Sequence, residues 1–123
     1  MKSNKKFMNA DEIGGLEFGT DIIVTAIEGG YIGYWARLLD YKYVDCFMCY
    51  AEIKDIDSEK TFIINSARAY NTALKIVNGK HEMRGDIYTN IAKGFHDLDA
   101  GYIDGEMADV IIQIAMFDEI VYS

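Results

Sequence analysis

Proline is absent from this chain of 123 residues, and no low-complexity stretch marks a boundary between domains. A chain of this length falls within the usual size of one domain, so we expect a single hydrophobic core. Long apolar runs are also missing. The most apolar stretches, such as 110–117, contain a polar residue and are far shorter than the roughly 20 residues of a membrane span. The sequence therefore predicts one domain and no contact with a membrane.

The first residues carry lysines but neither an apolar run nor a small-residue cleavage pattern behind them. That composition does not fit a secretory signal, so we expect the protein to stay in the cytoplasm of the cell that makes it. We expect a flexible tail at residues 1–8 and one folded domain over residues 9–123.

Basic residues are missing from the carboxyl-terminal end, since no Lys or Arg follows Lys93. The whole chain has 12 basic and 20 acidic residues and a net charge of −8. Nucleic acid is not an expected partner, because binding it requires a basic footprint. An acidic surface could instead imitate the phosphates of DNA and block a basic groove on another protein, or it could simply keep a small domain in solution. The carboxylates of this end are Asp97, Asp99, Asp104, Glu106, Asp109, Asp118 and Glu119.

Cysteine and histidine are scarce, with two residues of each. Cys46 and Cys49 form one C-F-M-C pair, but fourteen residues separate His81 from His96, whereas structural zinc sites have closely spaced ligand pairs. We therefore expect no metal and no cofactor, and interpret both cysteines as buried thiols of a reducing compartment. The chain also has no serine elbow and no phosphate loop, so we do not expect an enzyme.

The segment 24–37, V-T-A-I-E-G-G-Y-I-G-Y-W-A-R, concentrates glycines, aromatic rings, a carboxylate and a guanidinium. Glycines allow close approach of a ligand to the backbone, and aromatic faces suit a ring-bearing ligand or a protein partner. An alternative is that the aromatic residues belong to the core and the glycines form a tight turn. The candidate ligand-binding residues are Glu28, Gly29, Gly30, Tyr31, Gly33, Tyr34, Trp35, Arg37 and the more distant Arg68, with Lys42 and Lys93 as secondary candidates for phosphate.

The first half of the chain predicts one short helix and a hairpin. Thr20 or Asp21 caps a helix through Ile27, which places Glu28 at the helix end. The aromatic, β-favouring segment 41–54 predicts one strand, and 61–65 predicts a second that pairs with it in an antiparallel hairpin.

The second half predicts three helices. Ser66 caps a helix over 67–78 that Gly79 ends, with Tyr70, Ala73, Leu74 and Val77 on its inner face. A second helix covers 86–98, an acidic loop covers 97–104, and a third helix starts near Gly105.

The last helix is apolar around most of its circumference, so it is either the central core helix or part of an oligomer interface. Gln113 is its polar exception and is either hydrogen-bonded across the core, which we favour, or directed into a pocket. The sequence predicts a single α+β domain in which a small antiparallel sheet packs with three to four helices. We also expect a homo-oligomer, because the last helix is so apolar.

Two segments carry a resemblance. D-I-I-V-T-A-I-E-G-G with the following Y-W, within 21–35, and A-D-V-I-I-Q-I-A-M-F-D-E-I-V-Y at 108–122 resemble a family of small proteins encoded by bacteriophages and prophages. This sequence departs from that family at Asp118 and Ser123, where glycine is usual. The departure leaves the conformation of the final turn open. The resemblance implies phage origin and expression inside a bacterium, and it transfers no catalytic residue.

Small accessory phage proteins often act against host defence, which gives two hypotheses. In the first, a homo-oligomer binds and sequesters a nucleotide-derived immune signal through aromatic faces, glycine backbone donors and a few cations. In the second, the acidic carboxyl-terminal third or the aromatic loop blocks a host defence protein, as a DNA mimic does.

Overall fold

Four α-helices and three β-strands form the part of the chain that a computed structural model describes, residues 10–79 and 81–123. This arrangement confirms the predicted α+β class, and the predicted tail at 1–8 lies outside the described residues. The elements, in chain order, are α1 (Ala10–Glu28), β1 (Ala36–Asp45), β2 (Met48–Asp55), β3 (Thr61–Asn65), α2 (Ser66–Val77), α3 (Gly85–Asp97), a 3-10 turn (Ala100–Tyr102) and α4 (Gly105–Phe117).

The three strands form one antiparallel sheet in the order β1-β2-β3. Burial alternates along the central strand β2, where Cys49, Ala51 and Ile53 are fully buried and the residues between them are partly exposed. Alternation of this kind means that one face of the sheet packs on a core and the other faces solvent. The helices cover the inner face, with α1 against β2 and against both α2 and α4.

The predicted single strand over 41–54 is wrong, because the segment folds back on itself as β1 and β2. The turn lies at Cys46 and Phe47, and the carboxylate of Asp45 accepts a hydrogen bond of 2.8 Å from the backbone N–H of Phe47. An aspartate side chain can hold a turn in this way without glycine or proline, which are the residues that usually reveal a turn in a sequence.

The predicted start of the first helix at Thr20 or Asp21 is also wrong, since α1 already includes Ala10. Glycines disfavour helix, and this one contains three, but they also allow neighbouring elements to approach closely. A side-chain carbon on Gly19 would collide with the backbone carbonyl of Ser66, so α1 and α2 touch there. The buried hydroxyls of Thr20 and Ser66 are hydrogen-bonded at 2.6 Å beside this contact.

Helix α2 matches its predicted span, but its cap is Asn65 and not Ser66. The Asn65 side chain accepts a hydrogen bond of 2.8 Å from the backbone N–H of Arg68, while the Ser66 hydroxyl contacts Thr20 and the Cys49 backbone. The predicted inner face is partly wrong, because Leu74 is 38% exposed. Gly79 follows the helix with φ of 77°, as expected of a residue that ends one.

Helices α3 and α4 confirm their predicted positions. Of the two interpretations of α4, the structure selects the central core helix, since the consecutive residues 107–114 are all buried. Its carboxyl-terminal cap is Asp118, whose φ of 63° lies in the left-handed region that favours glycine. Asp118 therefore occupies a position where the backbone itself favours glycine.

Candidate functional site

Trp35 is a core residue in this structure and is only 2% exposed. Its ring stacks on Tyr122 with centroids 5.5 Å apart and an interplanar angle of 12°, and Phe117 contacts it at 5.5 Å. Its indole N–H donates a hydrogen bond of 2.8 Å to the buried carboxylate of Asp109. The ring is packed against other residues of the chain, and its single donor is hydrogen-bonded, so Trp35 presents no free face to a ligand.

Asp109 joins the two segments that carry the phage resemblance. One carboxylate oxygen accepts the Trp35 N–H and the Gln113 side-chain amide (3.0 Å), and the other accepts the Tyr34 hydroxyl at 2.6 Å. Desolvation and the hydrogen bond to Asp109 raise the pKa of Tyr34 well above its ordinary value, so this phenol keeps its proton and donates it. We call Trp35, Asp109, Gln113 and Tyr122 the Trp35 cluster.

Gln113 is hydrogen-bonded across the core, as predicted. Its carbonyl oxygen accepts the backbone N–H groups of Val121 and Tyr122, each at 2.8 Å, and its amide donates to the Tyr122 carbonyl at 3.0 Å. The Tyr122 hydroxyl in turn donates to Asp55 at 2.7 Å. The segment after α4 is irregular, so its backbone groups have no hydrogen-bond partners in a sheet or helix. The buried amide of Gln113 supplies such partners instead.

The turn between α1 and β1 is exposed, and its two tyrosines remain accessible. Tyr31 is 49% and Tyr34 is 54% exposed, and the ring of Tyr31 lies on Gly105 at the start of α4. Gly30 has φ of 73°, a conformation that side chains rarely adopt, so this glycine serves the turn itself. Glu28, at the end of α1, accepts a hydrogen bond of 2.6 Å from the Tyr41 hydroxyl.

The structure does not assemble the nine candidate ligand-binding residues into one site. Tyr34 lines a cleft of about 250 Å³ beside the Trp35 cluster. Arg37 lies on the outer face of β1, opposite Lys54, and lines a second cleft of about 270 Å³. Arg68 lies on α2 and lines a third, of about 440 Å³. Of the secondary candidates, Lys42 is exposed on β1 and Lys93 lies on α3, 5.1 Å above the Tyr102 ring.

The third cleft, which we call the α2 groove, is lined by cations and amides. Its residues are Asn65, Ala67, Arg68, Asn71, Thr72, Lys75 and Ala115.

The α2 groove has no carboxylate in its lining, although the chain carries a net charge of −8. The Arg68 guanidinium carbon lies 4.5 Å above the centroid of the Phe62 ring, a cation–π contact that orients it. Lys75 is half exposed and forms a 3.4 Å ion pair with Asp118 at the end of α4. The arrangement is suited to anions with flat or amide-like hydrogen-bonding groups.

The cleft beside Tyr34 has the opposite charge character. Its lining includes the carboxylates of Glu106 and Asp109, and its cation, Arg84, is already bound by Asp86 at 2.6 Å and by Glu106 at 3.1 Å. These hydrogen bonds raise the pKa of Arg84 further above its ordinary value, and the two carboxylates offset its positive charge. An anionic ligand would meet repulsion there.

Most acidic side chains of the carboxyl-terminal third have structural roles. Asp99 accepts from the Gly101 N–H, and Asp104 caps α4 by accepting from the Met107 N–H at 2.9 Å. Glu106 and Asp118 are in ion pairs, and Asp109 belongs to the Trp35 cluster. Glu106 and Asp118 are therefore paired with cations, whereas Asp99 and Asp104 remain exposed carboxylates that accept backbone hydrogen bonds.

The two cysteines are free thiols, and Cys49 is buried on β2 as predicted. The prediction of a buried thiol is wrong for Cys46, which lies in the β1–β2 turn and is only partly buried. Desolvation raises the pKa of Cys49, which keeps the thiol protonated. Within residues 10–79 and 81–123, no group of three or more His, Cys, Asp or Glu side chains lies close enough to hold a metal ion. No helix of this part of the chain is long and apolar enough to cross a membrane.

Two groups of residues at these sites are not apparent from the sequence. Asp109 and Tyr122 were not candidates, and no local pattern connects them to Trp35, which is 74 residues from Asp109. Asn71 and Lys75 are not among the candidate residues either. Their spacing of three and seven residues from Arg68 places all three on one side of a helix, and this signal could have identified the α2 groove.

Comparisons with protein-family models, with curated proteins and with solved structures find no match to this chain.

Proposed function

We propose that this chain is a phage-encoded accessory protein that binds and sequesters a small nucleotide-derived signal, and that the α2 groove is its binding site. The observation that supports this proposal is an open groove of about 440 Å³ with two cations and no carboxylate in a strongly acidic chain. Ligand clefts in proteins typically span roughly 300–1,000 Å³, so this groove has a suitable size.

The lining supplies the chemistry that a phosphate and a base require. Arg68 offers a planar guanidinium that can bind a phosphate through two hydrogen bonds. Lys75, which is half exposed in its 3.4 Å ion pair with Asp118, offers a second positive charge seven residues, or two helical turns, further along α2. The amides of Asn65 and Asn71 provide donors and acceptors for a base or ribose. Phe62 covers one face of the Arg68 guanidinium, which leaves the other face for stacking against a ring.

The proposed site differs from the site predicted from the sequence, which was the turn of glycines and aromatic residues between α1 and β1. Trp35 is enclosed by its own cluster, and the cleft beside Tyr34 contains two carboxylates. Of the nine candidate residues, Arg68 therefore has the surroundings that best suit an anionic ligand.

Sequestration requires binding without turnover, and we propose that the protein acts in this way in the cytoplasm of a host bacterium, as a counter-defence protein and not as an enzyme. The alternative, an acidic inhibitor that imitates DNA, has less support. A mimic must present unpaired carboxylates to another protein, but Asp109 is buried and Glu106 and Asp118 are paired with Arg84 and Lys75.

A thermal-shift and calorimetric screen with cyclic dinucleotides and ADP-ribose tests the proposal. We expect at least one of these ligands to raise the melting temperature, because a ligand at 100 times its Kd stabilises the native state by about 2.7 kcal/mol. Arg68→Ala should weaken that binding roughly tenfold or more, through loss of a charge-assisted bidentate contact. It should barely change stability, since an exposed cation–π contact contributes about 0.5–1 kcal/mol.

Arg37→Ala is the matched control, because it removes the same charge from an exposed position outside the α2 groove. If no nucleotide shifts the melting temperature, sequestration of such a signal is refuted. Loss of binding in Arg37→Ala but not in Arg68→Ala would place the site elsewhere. Capture of a host defence protein by the unliganded chain would favour the inhibitor hypothesis.

A further inference from the structure

We infer that the free edge of β1 binds a second copy of this chain, so that two sheets join through an antiparallel β1–β1 pair about a twofold axis at Tyr41. Among the described residues β1 pairs only with β2, although it is the longest strand with 10 residues. A long unpaired edge is a template for another strand. The inference does not depend on the proposed ligand.

The charges of β1 are self-complementary. Its outer face, defined by the pairing with β2, carries Arg37, Asp40, Lys42 and Asp45, all exposed. In an antiparallel pair centred on Tyr41, two residues face each other when their numbers sum to 82. Arg37 then faces Asp45 of the second copy, and Asp40 faces Lys42. Every charge on this face meets the opposite charge, and each such cross-strand pair stabilises the contact.

The apolar side chains of β1 obey the same symmetry. Leu38 faces Val44 of the second copy, and Leu39 faces Tyr43. Their exposed fractions in the single chain are 45%, 55%, 46% and 52%, respectively, so four large apolar residues of β1 are about half exposed to solvent. Burial of these side chains against their counterparts is the apolar driving force for association.

The irregularities of β1 are symmetric as well. The pairing with β2 shifts register between Leu38 and Asp40 and again between Tyr43 and Asp45. Each shift places two residues, instead of one, between consecutive outward charges. In the pairing centred on Tyr41, residues 38–39 of one copy lie opposite residues 43–44 of the other. The two irregular parts therefore coincide, and the outward charges remain on one face.

Neighbouring registers place like charges together. A shift of two residues in one direction puts Asp40 opposite Asp40 of the second copy, and a shift in the other direction puts Lys42 opposite Lys42. Like charges directly opposite each other destabilise a strand pair. Of these three registers, the one centred on Tyr41 is the one in which all four outward charges of β1 meet opposite charges.

Charged residues and irregularities on an edge strand usually discourage pairing with other chains. In β1 the charges and irregularities discourage pairing with most other strands, but they are complementary to a second copy of β1 in one register. The backbone N–H of Tyr41 donates to the Asp40 carboxylate at 2.9 Å, so a side chain occupies this donor in the single chain. Pairing lets Asp40 turn to Lys42 of the second copy. The α2 groove lies beside β3, at the opposite edge of the sheet, and stays open in the dimer.

The test measures the mass of the full chain by sedimentation and native mass spectrometry. Lys42→Glu places two like-charge pairs at the interface, because the introduced carboxylate faces Asp40 on each side, and we expect dimerisation to weaken by roughly tenfold or more. Asp40→Lys does the same with two positive pairs. An equimolar mixture of the two variants should form a heterodimer with near wild-type affinity, because each of its contacts again joins opposite charges.

Lys60→Glu is the matched control, since it makes the same charge change at an exposed lysine before β3 and should leave the dimer intact. Circular dichroism melts show whether each variant is folded, and recovery in the mixture requires that both are. A wild-type chain that is monomeric at tens of micromolar overturns the inference. So does a dimer that Lys42→Glu leaves unchanged, or variants that fail to recover when mixed, in which case the second copy does not occupy this edge.

Discussion

The Trp35 cluster and the α2 groove both contain side-chain amides and other hydrogen-bonding groups, but only the cluster is closed by its own chain. In the cluster, the Trp35 N–H, both Asp109 oxygens and the Gln113 amide have partners within 3.0 Å. In the groove, the side chains of Arg68 and Asn71 line open space. Hydrogen-bonding side chains stabilise the fold where other groups of the chain supply their partners, and they can bind a ligand where those partners are missing.

The largest expected effect breaks the cluster at its ring. Trp35→Ala should lower the free energy of unfolding by about 3–5 kcal/mol, because it leaves a cavity between α4 and the carboxyl-terminal segment. Urea denaturation measures this loss. Tyr31→Ala, which removes an aromatic ring that is 49% exposed from the same turn, should cost much less. Equal losses in the two variants would contradict the contrast between buried and exposed rings.

A smaller effect is expected from the amide of the cluster. Gln113→Leu keeps a side chain of similar size but leaves the backbone N–H groups of Val121 and Tyr122 without their acceptor, at a cost of about 2 kcal/mol. Hydrogen exchange should then accelerate at these two amides and remain slow in β2. Unchanged exchange at Val121 and Tyr122 would show that Gln113 does not hold the segment after α4.

The smallest expected effect is on the pH dependence of thermal stability. Burial alone would raise the pKa of Asp55, but hydrogen bonds from Ser58 and Tyr122 outweigh it and hold the pKa below the ordinary value of 3.8. A carboxylate with a lowered pKa stabilises the folded state above pH 4, and this contribution is lost as the pH falls through the folded-state pKa. Tyr122→Phe should therefore melt a few degrees below wild type at pH 6, with the difference narrowing below pH 4.

Melting curves between pH 6 and pH 3 measure this difference, and a gap that stays constant with pH would show that the Tyr122 hydroxyl does not act through the Asp55 carboxylate.

Helices α2, α3 and α4 and the strand β3 were predictable because each shows its own periodicity and cap or end signals within a few residues. The start of α1 was not, since three glycines lower its helix propensity and their benefit appears only where Gly19 meets the backbone of Ser66. The β1–β2 turn was hidden for a related reason. Asp45 holds it with a side-chain hydrogen bond, and no glycine or proline marks it.

The candidate site was harder to predict than the fold. Segment 24–37 has the composition of a binding loop, yet its tryptophan is in the core, and whether an aromatic ring is buried depends on residues that are distant in sequence. Arg68 was predicted as a cation for phosphate, and the structure places it in a groove without carboxylates. The role of this groove stays a prediction until a ligand is measured.

Local patterns along the chain were enough to specify the α+β class and the positions of three helices, and they favoured the hydrogen-bonded role of Gln113. These depend on spacing between near neighbours, which the printed chain contains completely. Only the packed molecule shows that Trp35 is enclosed, that Asp109 joins two segments 74 residues apart, and which side chains line open clefts. The physical reason is that burial is a property of packing between distant segments, and burial decides whether a polar or aromatic side chain supports the fold or faces a ligand.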